Sequence, residues 1–309
     1  MTDLVIRALT ESDTRLFNTL SHPDTGLLGR ALLGQTYAPV HEGGEYRPDW
    51  TWVALRDGRT VARAAWWAKA GDEKPVALDW FDFAEGEDAA AAELLRTAPL
   101  DVEYEMLLPP GWLDRPDTRA AAERRIGAAT AAGMKPLVER FRYEWTPDCG
   151  LPERPERLRF RGDPDDQVFL DVLRRIAEGS LDAHTRETAA RQGAEAAAQE
   201  DLDFFHWCPS PREWWQLAET PDGELAGVHI PAHNPNGPCI GFIGVLPEHR
   251  GKGYAYELLA ECTHKLVAEG AERIAAATDQ GNFPMAAAFT KAGYPVVQER
   301  ICMIPATGG

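Results

Sequence analysis

The feature that most constrains this chain is an internal repeat. Signals for strand, hairpin, strand, helix and strand recur in the same order at an offset of about 160 residues, the mark of a duplicated structural unit. Val5-Ile6-Arg7-Ala8-Leu9 alternates ahead of Thr10 and Asp13, as Leu158-Arg159-Phe160-Arg161 does ahead of Asp163, so each half predicts a strand running into a helix N-cap. Trp52-Val53-Ala54-Leu55 and Val61-Ala62-Arg63 flank Asp57-Gly58; Trp215-Gln216-Leu217-Ala218 and Leu225-Ala226-Gly227-Val228 flank Asp222-Gly223. Asp-Gly between alternating apolar runs predicts a hairpin. An apolar strand follows in each half, at Val76–Phe81 and Ile240–Val245, then an Ala/Leu-rich helix. Ala-Gly at 132–133 and 292–293 suits helix C-caps before the final strands, through Tyr143 and Met303.

Between the repeats, Pro147-Asp148-Cys149-Gly150-Leu151-Pro152-Glu153-Arg154-Pro155 denies both helix and interior strand. The expected organisation is therefore a first domain over 1–148, a linker over 149–156 and a second domain over 157–309. With 309 residues, each half is long enough to bury its own core. A net charge of -17 without a dense Lys/Arg run excludes a general nucleic-acid binder. The five scattered cysteines show no metal-ligand spacing and read as reduced structural thiols. Met1-Thr2-Asp3-Leu4 opens without a basic start and apolar core, and no long apolar run follows, so a cytoplasmic protein without a membrane span is expected.

The chemistry concentrates after the strand ending at Val245. Leu246-Pro247-Glu248-His249-Arg250-Gly251-Lys252-Gly253-Tyr254-Ala255 precedes a helical stretch from Tyr256 to Glu269. Strand, glycine-rich loop and helix form an anion-binding arrangement: Gly251 and Gly253 let backbone N–H groups converge, and the helix start adds its positive dipole end. Arg250 and Lys252 supply charge. A tight turn that merely needs glycine is the rival reading. Neither a Walker loop nor a complete dinucleotide fingerprint is present.

Arg250-Gly251-Lys252-Gly253-Tyr254-Ala255 resembles the Arg/Gln-x-x-Gly-x-Gly/Ala signature of the GNAT superfamily of N-acetyltransferases, preceded by Val245-x-Pro247-Glu248. Asn282, Met285, Phe289, Gly293 and Tyr294 resemble the family's second motif, with departures at Met285, Phe289 and Tyr294. The resemblance covers about residues 220 to 303 and implies an α/β fold: two tandem GNAT-like domains, each a mixed, mostly antiparallel twisted sheet flanked by helices. The tandem arrangement is similar to that of mycothiol synthase. It further implies acetyl-CoA or a related acyl-CoA as cosubstrate, with no metal. Its pantetheine arm would lie beside Ile243, Gly244 and Val245, its pyrophosphate on residues 250–255, and Asn282 and Phe289 beside the arm. The Val245 N–H would face the thioester oxygen.

The expected reaction is direct transfer to the primary amine of a small molecule. A base removes the amine's proton and an acid protonates the leaving thiolate. Phe289 stands where many relatives carry the tyrosine that serves as acid, and Gly237–Gly244 holds no carboxylate. His229 is a candidate base or an ordinary buried histidine; Asp182 and His184 are acceptor-site candidates or part of a helix cap. Tyr254, Tyr256 and Tyr294 are candidate acids or core aromatics. Trp214-Trp215 reads as core, and Glu187 to Asp201 as an amphipathic or solvated helix. In the first half the loop position reads Phe83-Ala84-Glu85-Gly86-Glu87-Asp88-Ala89-Ala90, whose acids would repel a diphosphate, so that domain is expected to be a degenerate scaffold without CoA. The competing function is a non-catalytic CoA-thioester-binding regulatory module.

Overall fold

The computed structural model describes residues 3–20, 26–68, 71–99, 101–154 and 156–306. Met1, Thr2 and Pro155, invoked above, lie outside them. The chain forms two compact units, 1–139 with 298–309, and 140–297.

The first unit runs β1 (Leu4–Ala8), β2 (Tyr46–Arg56), β3 (Arg59–Trp67), β4 (Ala77–Phe83), α1 (Asp88–Thr97), β5 (Glu103–Leu108) and α2 (Pro116–Ala131). β6 (Met134–Trp145) begins in this unit and ends in the second. The second unit continues with β7 (Arg159–Arg161), α3 (Asp166–Ala177), α4 (Ala183–Gln192), α5 (Ala194–Trp207), β8 (Gln216–Glu219), β9 (Leu225–Asn234) and β10 (Gly237–Val245). There follow α6 (Tyr254–Ala268), β11 (Ile274–Asp279) and α7 (Phe283–Lys291). β12 (Val296–Pro305) carries the chain back into the first unit.

In the first unit the strand order is β1-β2-β3-β4-β5-β12; all ladders are antiparallel except β4 with β5. Asp57 and Gly58 both have positive φ (50° and 75°), as a two-residue hairpin requires to match the twist of β2 and β3. Trp66, Leu78, Phe81, Phe83, Tyr104 and Met106 pack beneath the alanine-rich faces of α1 and α2. The second unit has the order β6-β11-β10-β9-β8-β7, again antiparallel except for β10 with β11. The mixed, mostly antiparallel sheets flanked by helices are those expected.

The unit boundaries differ from the expected 148/157 division. Each half's last strand serves the other half's compact unit: Arg140–Trp145 of β6 pairs with Ile274–Asp279, while Glu299–Met303 of β12 pairs with Tyr104–Leu108. Pro147–Cys149 form a short 3-10 turn between β6 and β7, and strand partnership on either side of it is set by long-range register, which local composition does not encode. A second difference is that Glu187–Asp201 is two helices. Gly193, at φ +93°, ends α4 before α5 begins. No helix among the described residues is long and apolar enough to cross a membrane, and no disulfide joins the five cysteines.

Because Ile301 and Met303 are buried in the first unit's core, Met303→Ala is expected to destabilise that unit by about 2–5 kcal/mol. Hydrogen exchange would show protection falling first in β3, β4 and β5; unchanged protection there would contradict the assignment of β12 to this core.

Candidate active site

β10 and β11 are parallel neighbours that share one register pair, Cys239 with Ala275, and then diverge. On its other side β10 stays paired with β9 as far as Val245, with a bulge between Ile240 and Phe242. Glycine is required at that bulge, since a Cβ on Gly241 would stand 2.7 Å from the Ile230 carbonyl oxygen. The far half of β10 thus presents an edge inside the sheet, and a cavity of about 470 Å³ opens against it. Ile243, Gly244 and Val245 form one wall, the turn at Arg250, Gly251 and Gly253 the end, and Tyr254, Ala255, α7 and the segment from Ile176 to Leu181 also line it.

Gly251 and Gly253 occupy left-handed φ values of 76° and 80°, which turn the chain so that α6 starts at the cavity. No side chain caps the first amides of this fifteen-residue helix. Uncapped N–H groups and the dipole's positive end therefore meet in the cavity, which suits a diphosphate.

The two cations of the loop are placed differently from expectation. Arg250 lines the cavity, but its guanidinium donates to the carbonyls of Ile176 (2.9 Å), Gly179 (3.0 Å), Glu178 (3.3 Å) and Val245 (3.3 Å). It therefore ties the carbonyl end of α3 to the loop, the usual preference of a cation at a helix C-terminus. Lys252 is outside the cavity wall, its Nζ 3.1 Å from His249 Nδ1. The ammonium at the wall belongs instead to Lys291 of α7, 3.9 Å from the Tyr256 ring centre. Sequence reading missed it because its neighbours in the chain carry no phosphate-loop signal.

A second cavity, of about 380 Å³, adjoins the first, sharing Ile176, Ser180, Ile243, Asn282 and Met285 as walls. Asn282 accepts from the Met285 N–H at 3.3 Å, so it caps α7 while bordering both spaces. Phe289 reaches the second cavity rather than the first, stacked on Tyr143 with ring centres 4.3 Å apart. Asp182 also borders the second cavity. Its carboxylate caps α4 through the Thr185 N–H (2.9 Å) and pairs with Arg140 (3.4 Å). Burial opposes its charge, but Arg140 and the Thr185 amide outweigh burial and hold its pKa below the ordinary value. Both readings of Asp182, cap and cavity wall, are thus realised together.

Two further carboxylates, Glu200 and Asp201, reach the same cavity from α5 without any local sequence signal marking them. Burial first, then the neighbouring Asp182 and Glu200, push the Asp201 pKa up to about 7. Their helical spacing looks like an ordinary solvated face, and only the packing of α5 against α3 and α4 turns it toward a cavity.

Two expected proton carriers are corrected. His229 is fully buried, with Nε2 3.0 Å from Gln216 Oε1 and its ring edge-on to Phe160, and it borders neither cavity. Burial depresses its pKa to about 3. Tyr294 is also interior, its hydroxyl 2.7 Å from Thr263 Oγ1, and burial raises its pKa far out of the neutral range. Neither can meet a substrate. Tyr254 and Tyr256 do line the first cavity; the Tyr256 hydroxyl donates to the Glu153 carbonyl at 3.1 Å. Trp214 and Trp215 are core residues, as expected.

Residues 181–294, which include most of both cavities, match the family model described as the Acetyltransferase (GNAT) family. The second unit carries a GNAT acetyltransferase domain. This is an acyltransferase family that uses acetyl-CoA or another acyl-CoA. Among solved structures, a GCN5-related N-acetyltransferase from Sphaerobacter thermophilus aligns over 97% of this chain and 94% of its own, at 15% identity and a TM-score of 0.53. A GCN5-related glucosamine N-acetyltransferase region of a fungal multi-domain GH3 beta-N-acetylglucosaminidase aligns over 98% of this chain and 38% of its own, at 13% identity and a TM-score of 0.52. These two share the fold with nearly the whole of this chain. A tandem GNAT protein from the clavulanic acid biosynthesis pathway aligns over 99% of this chain and 100% of its own, at 17% identity and a TM-score of 0.49. No curated protein matches the sequence.

The buried His229 gives a pH prediction for the GNAT domain. Its folded pKa of about 3 lies below the ordinary 6.5, so the unfolded chain takes up this proton first as pH falls. The stabilising contribution is complete above the ordinary pKa and is lost progressively toward pH 3. His229→Gln is expected to make acid unfolding less steep between those values, while coenzyme A affinity at neutral pH stays at the wild-type level. A large loss of affinity in a folded variant would return His229 to the site.

Proposed function

We propose that the second unit transfers an acetyl or related acyl group from its CoA thioester to the primary amine of a small molecule, by direct attack. The supporting observation is the pair of adjoining cavities, one ending on the uncapped start of α6 and the other walled by polar side chains. In this reading the amides from Gly251 to Ala255 hold the diphosphate. Lys291 supplies a cation, and the β10 edge at Ile243–Val245 accompanies the pantetheine arm. The thioester then lies where the cavities meet, near Ile243, Asn282 and Met285.

The amine nitrogen forms a bond to the thioester carbonyl carbon, the C–S bond breaks, and coenzyme A leaves as a thiol. Of the protons the acceptor releases, one goes to a base in the second cavity and the other to the departing sulfur. Arg250 acts through position, holding α3 against the loop. The first unit serves as scaffold in this proposal. At its equivalent turn Glu87 pairs with Arg56 and Asp88 with Arg124, so the turn is closed by internal ion pairs and carries acids where a diphosphate would need cations.

The proposal is tested by calorimetry with coenzyme A and by free-thiol release from acetyl-CoA over a panel of amines. One binding site per chain and amine-dependent thiol release are expected; saturable binding without release from any acceptor would favour a CoA-sensing module. Ala255 lines the first cavity at the start of α6. Ala255→Trp should therefore weaken coenzyme A binding by about 10²-fold or more, since overfilling a site costs several kcal/mol. Circular dichroism should show an unchanged fold. Wild-type affinity in this variant would displace the nucleotide from the assigned cavity.

A further inference from the structure

The second cavity has a marked chemical bias. Its acids come from two places: Asp182 caps α4, and Glu200 and Asp201 lie on α5. The charged groups facing them are already engaged. Arg140 of β6 is shared between Asp182 and the buried Asp279 of β11, at 3.4 Å and 3.0 Å, and His184 is the remaining titratable group on the wall. Glu200 accepts from the Thr188 hydroxyl at 3.0 Å. Asp201 differs from these, having neither a hydrogen-bond nor an ion-pair partner among the described residues. Beside it the wall is apolar and aromatic, with Phe204, Phe205 and Phe242. A carboxylate left unpaired on the wall of an aromatic cavity is free to meet a cation there.

Resting on the acyl-transfer reading above, we propose that this cavity takes an amine borne on an apolar or aromatic body without a carboxylate, and that Asp201 receives the proton of its ammonium. The acceptor enters as a cation, drawn by Asp201 and Glu200, while its hydrocarbon part lies against Phe204 and Phe205. Asp201 takes one proton from nitrogen and leaves a neutral amine. Nitrogen attacks the thioester carbonyl; its second proton passes to the departing sulfur, and Asp201 returns the first to solvent. An α-amino acid would bring its own carboxylate among Asp182, Glu200 and Asp201, with Arg140 already committed, and like-charge juxtaposition opposes it. A pKa near neutrality for Asp201 fits a group that must be ionised before the substrate binds and protonated afterwards.

The test uses the full chain with acetyl-CoA and matched pairs differing only by a carboxylate: phenethylamine with phenylalanine, tyramine with tyrosine, and histamine with histidine. In each pair the amine is expected to show kcat/KM at least about tenfold higher. Asp201→Asn should lower kcat by about 10²-fold and remove the ascending limb of the rate profile near pH 7, with coenzyme A affinity unchanged and Asp201→Glu restoring part of the rate. A stability measurement separates this from a fold defect. A carboxyl pKa raised by burial makes the folded state progressively less stable as pH climbs from about 4 to about 7, so the Asn variant should be as stable as wild type below that window and more stable above it. Equal or reversed preference within the pairs, an Asn variant with wild-type rate and pH limb, or coenzyme A binding with no turnover of any of the three amines would each overturn the acceptor assignment. Failure of coenzyme A itself to bind would instead remove the acyl-transfer reading beneath it.

Discussion

The parting of β10 from β11 after a single shared register pair is the constraint on which the site depends. Parallel neighbours normally satisfy each other's backbone groups along their length, and an interior edge left open is costly unless something else meets it. Here the bulge at Gly241 turns β10 away, and the strand keeps its other ladder with β9 as far as Val245. The open edge therefore ends at the glycine turn, so main-chain groups of a strand and the uncapped amides of a helix face one space. A long ligand carrying both an amide-rich arm and a diphosphate satisfies these two sets of groups together.

Holding this opening to a fixed width falls to Arg250. Its four carbonyl contacts bind the end of α3 to the loop, and Gly179 beside it suits glycine by its φ of +70°. Gly244 of β10 is held as closely, since a Cβ there would stand 2.5 Å from the Ile176 side chain of α3 and 2.7 Å from the Phe242 ring. α3 thus packs directly on the strand that borders the cavity. The side chain whose charge suggested phosphate binding instead shapes the pocket; in the proposed function, anion recognition falls to backbone dipoles and to Lys291.

What could be read from the sequence divides along the same line. Gly251, Gly253, the strand ending at Val245 and the helix after it are local features, set by φ requirements and apolar periodicity within about ten residues, and they stand where expected. The direction of His229 depended on which faces of β9 are covered, and a lone histidine between the apolar Val228 and Ile230 left both readings open. In the folded sheet it lies between Gln216 on β8 and Ile243 on β10, sealed beneath Phe160. Asp201 was hidden for the opposite reason. On a helix with Glu195, Glu200 and Asp203 it looks like one more solvated acid, and its burial arises only when Gly193 folds α5 back along α4. The exchange of final strands was illegible for a third reason, since the 140–145 and 299–303 segments are both plausible closing strands for either half and only long-range register chooses between them.

The duplicated scaffold also shows how little must change for one copy of a turn to gain or lose an anion site. Both units run an apolar strand into a helix through a glycine with positive φ, Gly86 in one and Gly251 and Gly253 in the other. In the first unit the turn's acids are consumed by Arg56 and Arg124, which stabilises the local structure and fills the helix start with negative charge. In the second the turn's own Arg250 is drawn away to α3; at neither helix does a side chain cap the first amides. An unsatisfied helix terminus is a loss for the empty protein and a gain only when a ligand arrives. The first turn therefore closes on its own charges, whereas the second, in the proposed function, leaves its helix start to an anionic ligand, with the same backbone path serving both.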